Sequence, residues 1–599
     1  MTQDLLRSRQ GLRHQPVPAG YSKKSSRLPW HRKVSFLGSL AILLALYIAY
    51  LLRPPFPAPY ISRVSPLSTT GKAKYGPIVS NSRDIYFLEL VSGHQSLFKM
   101  PETGGDATPL TTSLDNLQMA DISPDGRELL VGTRVGTQAE WPLWKISLDG
   151  GLVAARLGSL VGHAATYSPD GQQIAYGVGS DLYVANRDGG QPKLLASTAG
   201  VVRWIRWSPN GSVIRFTLLN PQNRTTALWE VASSGNKLRP LLPGWNNPSW
   251  ECCGNWTPDG TYFVFQSTRN WSSQIWAIRE TSGLFRKRDS SPVQLTSGPM
   301  SYRGPVPSRD GRRILVVGDQ QRSELLRYKP GTQQLEPFLG GLSAESVDFS
   351  QDGQWVAFVA YPDGTLWRCR LDGTERLRLT PSSLRVYLPR WSPDGTRLAF
   401  RAESASLPVK IYTVSADGKD LRQLFTDGRN EADPSWSPDG KKLAFGRTAL
   451  PYEAQPKSIH IYDFETQQTS TLQQSEGLFS PRWSPDGRYI AAMSLDSQRL
   501  MLFDWKSEDW QELAKVNASY PTWSPDSKTL YLGAKVNNQQ GQYRIGLTDR
   551  KLERMVSLSE AFHEAVSFAL WTGMAPDGSL IVARDLSRQE IFSLDWQTP

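Results

Sequence analysis

Two hydrophobic patterns interrupt the polar sequence of this chain. One is a single continuous run, Val34–Leu52, without a charged residue. The other recurs: an apolar or aromatic residue, then Ser-Pro-Asp-Gly, then a short stretch in which apolar positions alternate or run together. Alternation at a period of two puts one face of an extended segment against a core, so this second pattern predicts strands. Within the motif, Pro presets φ at the first turn position, Asp tolerates the next and Gly accepts positive φ. The motif therefore reads as a turn between two strands.

The phrase occurs from ISPDGRELLVG (122–132) through WSPDGKKLAFG (436–446) to MAPDGSLIVAR (574–584). Its acidic or amide positions are Asp125, Asp170, Asn210, Asp259, Asp310, Asp352, Asp394, Asp439, Asp486, Asp526 and Asp577. Their mean spacing is about 45 residues, the length of a four-stranded propeller blade. A second strand (LWKISLDG, IYTVSADG) and a third (PVQLTSG) follow in the units, and a degenerate twelfth unit, GPIVSNSRDIYFLEL, stands in front. The expected fold class is all-β: tandem β-propellers of about twelve four-stranded blades behind one N-terminal transmembrane helix. Six plus six, joined near 335–345, is the simplest division, and five plus seven also fits. Segment 61–69 reads as a fourth strand without its first three, while the last unit ends at 591–596 without a fourth. The two ends are expected to complete one blade in the C-terminal ring and so remove exposed sheet edges.

The blade turns are assigned to Asp125, Gly126, Asp170, Gly171, Asp259, Gly260, Asp394, Gly395, Asp439, Gly440, Asp486 and Gly487. Six of the 21 tryptophans stand immediately before a turn: Trp207, Trp256, Trp391, Trp436, Trp483 and Trp523. That recurrence assigns them to the wedge between neighbouring blades.

Charge changes the reading of the first pattern. The chain of 599 residues carries 67 Lys+Arg against 56 Asp+Glu, a formal net charge of +11. Residues 1–33 hold Arg7, Arg9, Arg13, Lys23, Lys24, Arg27, Arg32 and Lys33 against Asp4, so most of the surplus precedes Val34. As a helix, 34–52 spans about 28 Å, close to the roughly 30 Å hydrocarbon core. Basic residues on its N-terminal side keep that end in the cytoplasm and export the rest. A cleaved signal peptide is the alternative; the long basic region and the missing A-x-A site oppose it. The expected organisation is a basic cytoplasmic tail (1–33), a transmembrane helix (34–52), a Pro-rich stalk (53–60), and propellers at 61–340 and 341–599. The expected location is the cytoplasmic (inner) membrane, single-pass, with the propellers in the periplasm. The exported body is close to neutral, which excludes direct nucleic-acid binding by this chain; the tail is a topology signal with affinity for anionic headgroups.

The WSPDG blade resembles the TolB-type propeller repeat of bacterial envelope proteins. The phrases LLPGWNNPSWECCGNWTPDGTYFVFQSTRN, SEGLFSPRWSPDGRYIAA and RQEIFSLDW resemble a group of acidobacterial membrane proteins. Those combine a cytoplasmic winged-helix domain, one transmembrane helix and a propeller region. The resemblance implies an exported propeller; a winged helix needs on the order of 90 residues, and 33 precede the membrane run here. The DNA-binding part of that role is therefore not carried over.

Chemistry adds little. No G-x-S-x-G elbow, H-E-x-x-H, P-loop or calcium loop occurs, and His14, His31, His94, His163, His460 and His563 are scattered over separate units. No catalytic residue, cofactor or metal site is predicted. Cys252-Cys253 has two readings: a pair of thiols behaving as small hydrophobes, or a vicinal disulfide in an oxidising compartment. Cys369, in the strand LWRCRL, reads as core. The expected function is that of a membrane-anchored, exported, non-enzymatic binding, sensor or scaffold protein whose partner is an envelope protein, a peptide or a glycan. Two alternatives stand beside it: a truncated membrane-bound transcription regulator with its DNA-binding domain encoded upstream, and an enzyme with its active site in a propeller channel.

Overall fold

The structure is a computed structural model. It describes Tyr47 and residues 55–598, apart from 92–93, 135–137, 222, 283–289, 330–331, 333, 405–407, 447–456, 538 and 559–570. The tail at 1–33 lies outside the described residues, as does the span 34–52 apart from Tyr47. Among the described residues no helix is long and apolar enough to cross a membrane.

The described strands form twelve four-stranded antiparallel sheets. The strand after each turn is buried on both faces, because each blade packs between two others. In Glu128–Thr133 the consecutive residues Leu129, Leu130 and Val131 are all inaccessible to solvent, which explains the continuous apolar runs. The core is correspondingly divided among neighbouring blades: Leu88 and Leu97 pack with Leu117, Leu129 and Val131 of the next sheet.

Innermost strands contact one another in two closed cycles of six. Ring one runs Lys74–Ser80, Leu117–Ile122, Ala164–Tyr167, Val201–Trp207, Glu251–Trp256, Ser301–Pro307 and back to the first. Ring two runs Ala344–Phe349, Leu384–Trp391, Ala432–Trp436, Leu478–Trp483, Asn517–Trp523, Trp571–Met574 and back.

The rings are not consecutive along the chain. Arg313–Gln320 pairs with Arg588–Gln597 in ring one, and Ser323–Lys329 pairs with Leu580–Asp585 in ring two. The register passes from Gln320↔Arg588 to Ser323↔Asp585 with two residues skipped on each strand and no slip. The skipped residues stay bonded: Leu586 N–H donates to the Arg322 carbonyl at 2.8 Å, and Arg322 N–H to Ser587 Oγ at 3.1 Å. One antiparallel ribbon thus supplies the two middle strands of both closing blades. Sheet membership changes between Gln320 and Ser323 and again between Asp585 and Arg588, and not near 335–345. Residues 588–597 belong to ring one, so the division into 61–340 and 341–599 does not follow the sheets.

The chain ends do meet. Tyr60–Pro66 pairs with Arg588–Gln597 as the outermost strand of a blade, but that blade is in ring one, where a C-terminal ring was expected. The ribbon is the reason: it carries the last strand back across to ring one.

Eight innermost strands carry a bulge with a left-handed residue: Gly76, Trp204, Cys253, Gly304, Leu388, Asp433, Ser480 and Tyr520. At Gly76, Gly304, Leu388, Asp433, Ser480 and Tyr520 the next residue is Pro, which has no N–H to give to the ladder. Past the bulge, the residue before the turn aromatic links blade to blade. Asp121 accepts from Tyr167 N–H at 3.0 Å, Arg206 Nε donates to Asn255 Oδ1 at 2.7 Å, and Asp348 accepts from Trp391 N–H at 2.7 Å.

Candidate functional site: a cleft between the rings

One stretch departs from the repeat, LLPGWNNPSWECCGNW (241–256), and it builds one wall of a cleft. Trp245 meets Trp276 edge-to-face at 4.8 Å, and the Arg269 guanidinium lies over both rings at 4.4 and 4.5 Å. These contacts hold the loop against its blade and present Trp250, which meets Trp271 edge-to-face at 5.0 Å. Cys252 and Cys253 are joined by a disulfide, with Cys253 at the left-handed bulge position and its N–H donating to Thr217 Oγ1 at 3.1 Å. Beneath the wall Glu251 is buried, and burial raises its pKa above the ordinary 4.5.

Ring two supplies the facing wall. A cavity of about 350 Å³ is lined by Asn223, Thr226, Trp250, Cys252 and Trp271 on one side and by Arg385, Tyr387, Glu403, Ser404 and Asn430 on the other. It adjoins a second hollow of about 500 Å³ that shares Trp250, Thr268, Trp271 and Ser404 with it. Both volumes lie in the range of small-molecule sites. Arg224 reaches across to Glu403 at 3.4 Å, and Arg401 holds the same carboxylate at 2.8 Å. Arg385 lies over the Trp271 and Tyr387 rings, 5.7 Å from each centroid. Burial pushes Tyr387 up to about 12, with Glu403 adding to the shift.

Behind this wall the inner strands of ring two gather charge. Glu345, Asp348, Arg390, Asp433, Arg482 and Tyr520 come from five successive blades and act on one another electrostatically. Burial pushes the Glu345 carboxyl up to about 7 and the Arg482 guanidinium down to about 9, the latter with repulsion from Arg390. Glu345 Oε1, Asp433 Oδ1 and Arg482 Nε have no hydrogen-bond partner among the described residues. Among the described residues no group of three or more His, Cys, Asp or Glu is disposed to hold a metal ion.

An uncharacterized protein of Agrobacterium fabrum is 32% identical over 235 residues, covering 37% of this chain and 74% of that protein. The Tol-Pal system protein TolB of Ruthia magnifica is 30% identical over 105 residues, 16% of this chain and 25% of its own length. The chain is a TolB-like β-propeller protein. Among solved structures, a putative TolB from Agrobacterium tumefaciens aligns with 45% of this chain and 99% of its own, at 18% identity and a TM-score of 0.35. No family model matches the sequence.

In this TolB-like chain the assigned turn residues all sit between the first and second strands of their blades. At Asp125, Asp170, Asp259, Asp394, Asp439 and Asp486 the preceding Ser or Thr hydroxyl donates to Asp Oδ1 at 2.5–2.6 Å. The residue after each Gly donates its N–H to the same oxygen at 3.0–3.1 Å. Gly126, Gly171, Gly260, Gly395, Gly440 and Gly487 have φ between +67° and +78°. The tryptophans before the turns divide. Trp436 Nε1 donates to the Arg390 carbonyl and Trp523 Nε1 to the Arg482 carbonyl, each on the preceding blade, at 3.1 and 2.9 Å. Trp256 packs under Arg215 of the preceding blade at 4.7 Å. Trp483 donates back to Gly487 of its own turn at 3.2 Å and stacks on Trp505. Trp207 and Trp391 pack into apolar clusters with no partner for Nε1 among the described residues.

Among the described residues the histidines do not cluster. His163 lies against Glu140 at 2.8 Å, His460 is buried against Phe445, and His14, His31 and His563 lie outside the described residues. Cys369 is buried. Sequence reasoning did not single out Trp250, Trp271, Arg385, Tyr387 or Glu403. For Trp250 the interruption of the repeat at 241–256 is a usable sign; for the others there is none, because the topology alone brings them together.

Proposed function

We propose that this TolB-like chain is a binding protein of the cell envelope, acting without chemical change to its ligand. In this reading the helix 34–52 anchors it in the cytoplasmic membrane, residues 1–33 stay inside, and both rings are exported. The ligand is an envelope protein, a peptide or a glycan, received in the cleft between the rings. The observation that carries the reading is the cleft itself: a concave, aromatic and polar site built by the segment that interrupts an otherwise regular repeat. Trp250 and Trp271 make it self-reporting. Titration of the full chain with glycan and peptide panels should quench tryptophan fluorescence, and W271A should abolish the change. Quenching that persists in W271A would place binding elsewhere. For topology, a reporter active only in the periplasm, fused after residue 60, should be active; an inactive fusion reverses the orientation.

A further inference from the structure

We infer that the cleft recognises an acidic oligosaccharide, with Arg385 as the anchor for a sugar carboxylate and Trp250 and Trp271 as the platform for the sugar rings. The inference rests on the cleft being the binding site and adds the class of ligand. Arg385 makes no hydrogen bond or ion pair among the described residues, although its side chain is largely shielded from solvent. A guanidinium in that position is a standing demand for a planar anion, because its fork of donors matches two carboxylate oxygens. The acid that would naturally answer it is committed: Glu403 is held by Arg401 at 2.8 Å and Arg224 at 3.4 Å. Glu345, the other acid acting on Arg385, is pushed towards its neutral form by burial.

The unsatisfied groups beside Arg385 point the same way. Trp250 Nε1 and Arg385 Nε are donors without acceptors, and Ser404 Oγ has no partner. A ligand rich in acceptor oxygens fits that inventory; an apolar peptide side chain does not. The lining also includes side chains that bind hydroxyl groups, Asn223, Thr226 and Thr268, and rings that pack the apolar faces of pyranoses, with Cys252, Pro408 and Val409 adding apolar surface. Two adjoining hollows give length for a few sugar residues. A polyanionic nucleic acid would need several free cations along the cleft, and Arg224 and Arg269 are already engaged.

The test is calorimetric titration of the full chain with three matched probes: β-1,4-linked triglucuronate, its methyl ester, and cellotriose. Triglucuronate should bind at least tenfold more tightly than the other two. R385Q should bring triglucuronate down to the level of the methyl ester, R385K should recover part of the loss, and W271A should weaken all three. Thermal melts of each variant separate lost binding from lost folding. Equal binding of the three probes, or a triglucuronate affinity unchanged in R385Q, overturns the acidic-sugar inference while leaving the cleft as the binding site. Binding of a peptide but of no saccharide, sensitive to W271A, overturns the ligand class alone. Saccharide binding insensitive to both variants overturns this inference and the proposed function together.

Discussion

Replacing Glu345 by Gln should make the protein more stable at mildly alkaline pH and flatten its pH profile. Glu345 is 9% exposed, and its Oε1 has no hydrogen-bond partner among the described residues. Burial lifts its pKa from 4.5 to about 7, against the opposing pull of Arg385 and Arg401. Between those two values the folded chain holds a proton that the unfolded chain has released, so stability falls as pH rises through the window. Below the window both states are protonated and nothing is lost; above it both are ionised and the loss is complete. At about 1.4 kcal/mol per pH unit the whole displacement amounts to about 3 kcal/mol. Glutamine keeps the shape and cannot ionise. E345Q should match the wild type near pH 4.5 and exceed it by up to about 3 kcal/mol near pH 8. The wild-type slope should not vanish in E345Q, because Glu431 is likewise raised to about 7, by burial against the help of Lys410. Urea denaturation followed by tryptophan fluorescence across this range measures both curves. Parallel curves, or an E345Q chain less stable than the wild type at the alkaline end, would refute the reasoning.

The turn aspartates act at the other end of the scale. Asp170, Asp352 and Asp439 are held below the ordinary 3.8, first by the neighbouring serine hydroxyl and then by a backbone N–H, so their contribution is lost as pH falls through those lowered values; acid titration of stability checks it. D439A should cost about 1 kcal/mol in urea denaturation, since it removes bonds from Ser437 and Lys441 N–H. Deleting residues 60–66 should speed hydrogen exchange in 588–597 before it touches the inner strands of ring two; faster exchange in ring two first would contradict the pairing. The non-reduced peptide containing Cys252 and Cys253 should weigh two hydrogens less than its reduced form, and identical masses would show free thiols.

The period of the motif makes the blades legible because one local phrase performs the same task in every unit. Its Asp and Gly satisfy a turn, and its aromatic meets a neighbouring blade. Ring membership is not written locally. Arg313–Gln320 and Ser323–Lys329 belong to one repeat unit by sequence, yet they enter different rings, because their partners at 580–597 form one continuous ribbon. Pairing at that separation leaves no trace in period or composition. The bulges were legible in principle: proline inside an inner strand, as at Pro389, Pro434, Pro481 and Pro521, marks a broken ladder.

The cleft follows from a position that the motif leaves free. Trp250, Arg385 and Asn430 each stand six residues before the turn aromatic of their blade, Trp256, Trp391 and Trp436, and all three line the same cavity. Other blades carry Val201, Gly477 and Asn517 there, so no rule of blade packing fixes the residue. A position unconstrained by the blade, at the start of an inner strand, is where recognition can vary while the ring stays closed. The rest of the motif has no such freedom, since its side chains hold a turn or a neighbour. It follows that substitutions at 250 and 385 should alter binding with small changes in melting temperature, while D439A should do the reverse; Asn430, whose Oδ1 accepts Val409 N–H at 2.7 Å, serves its blade as well. A loss of stability in R385Q as large as that in D439A would mean that Arg385 serves the blade, and the separation of recognition from closure argued for this fold would fail.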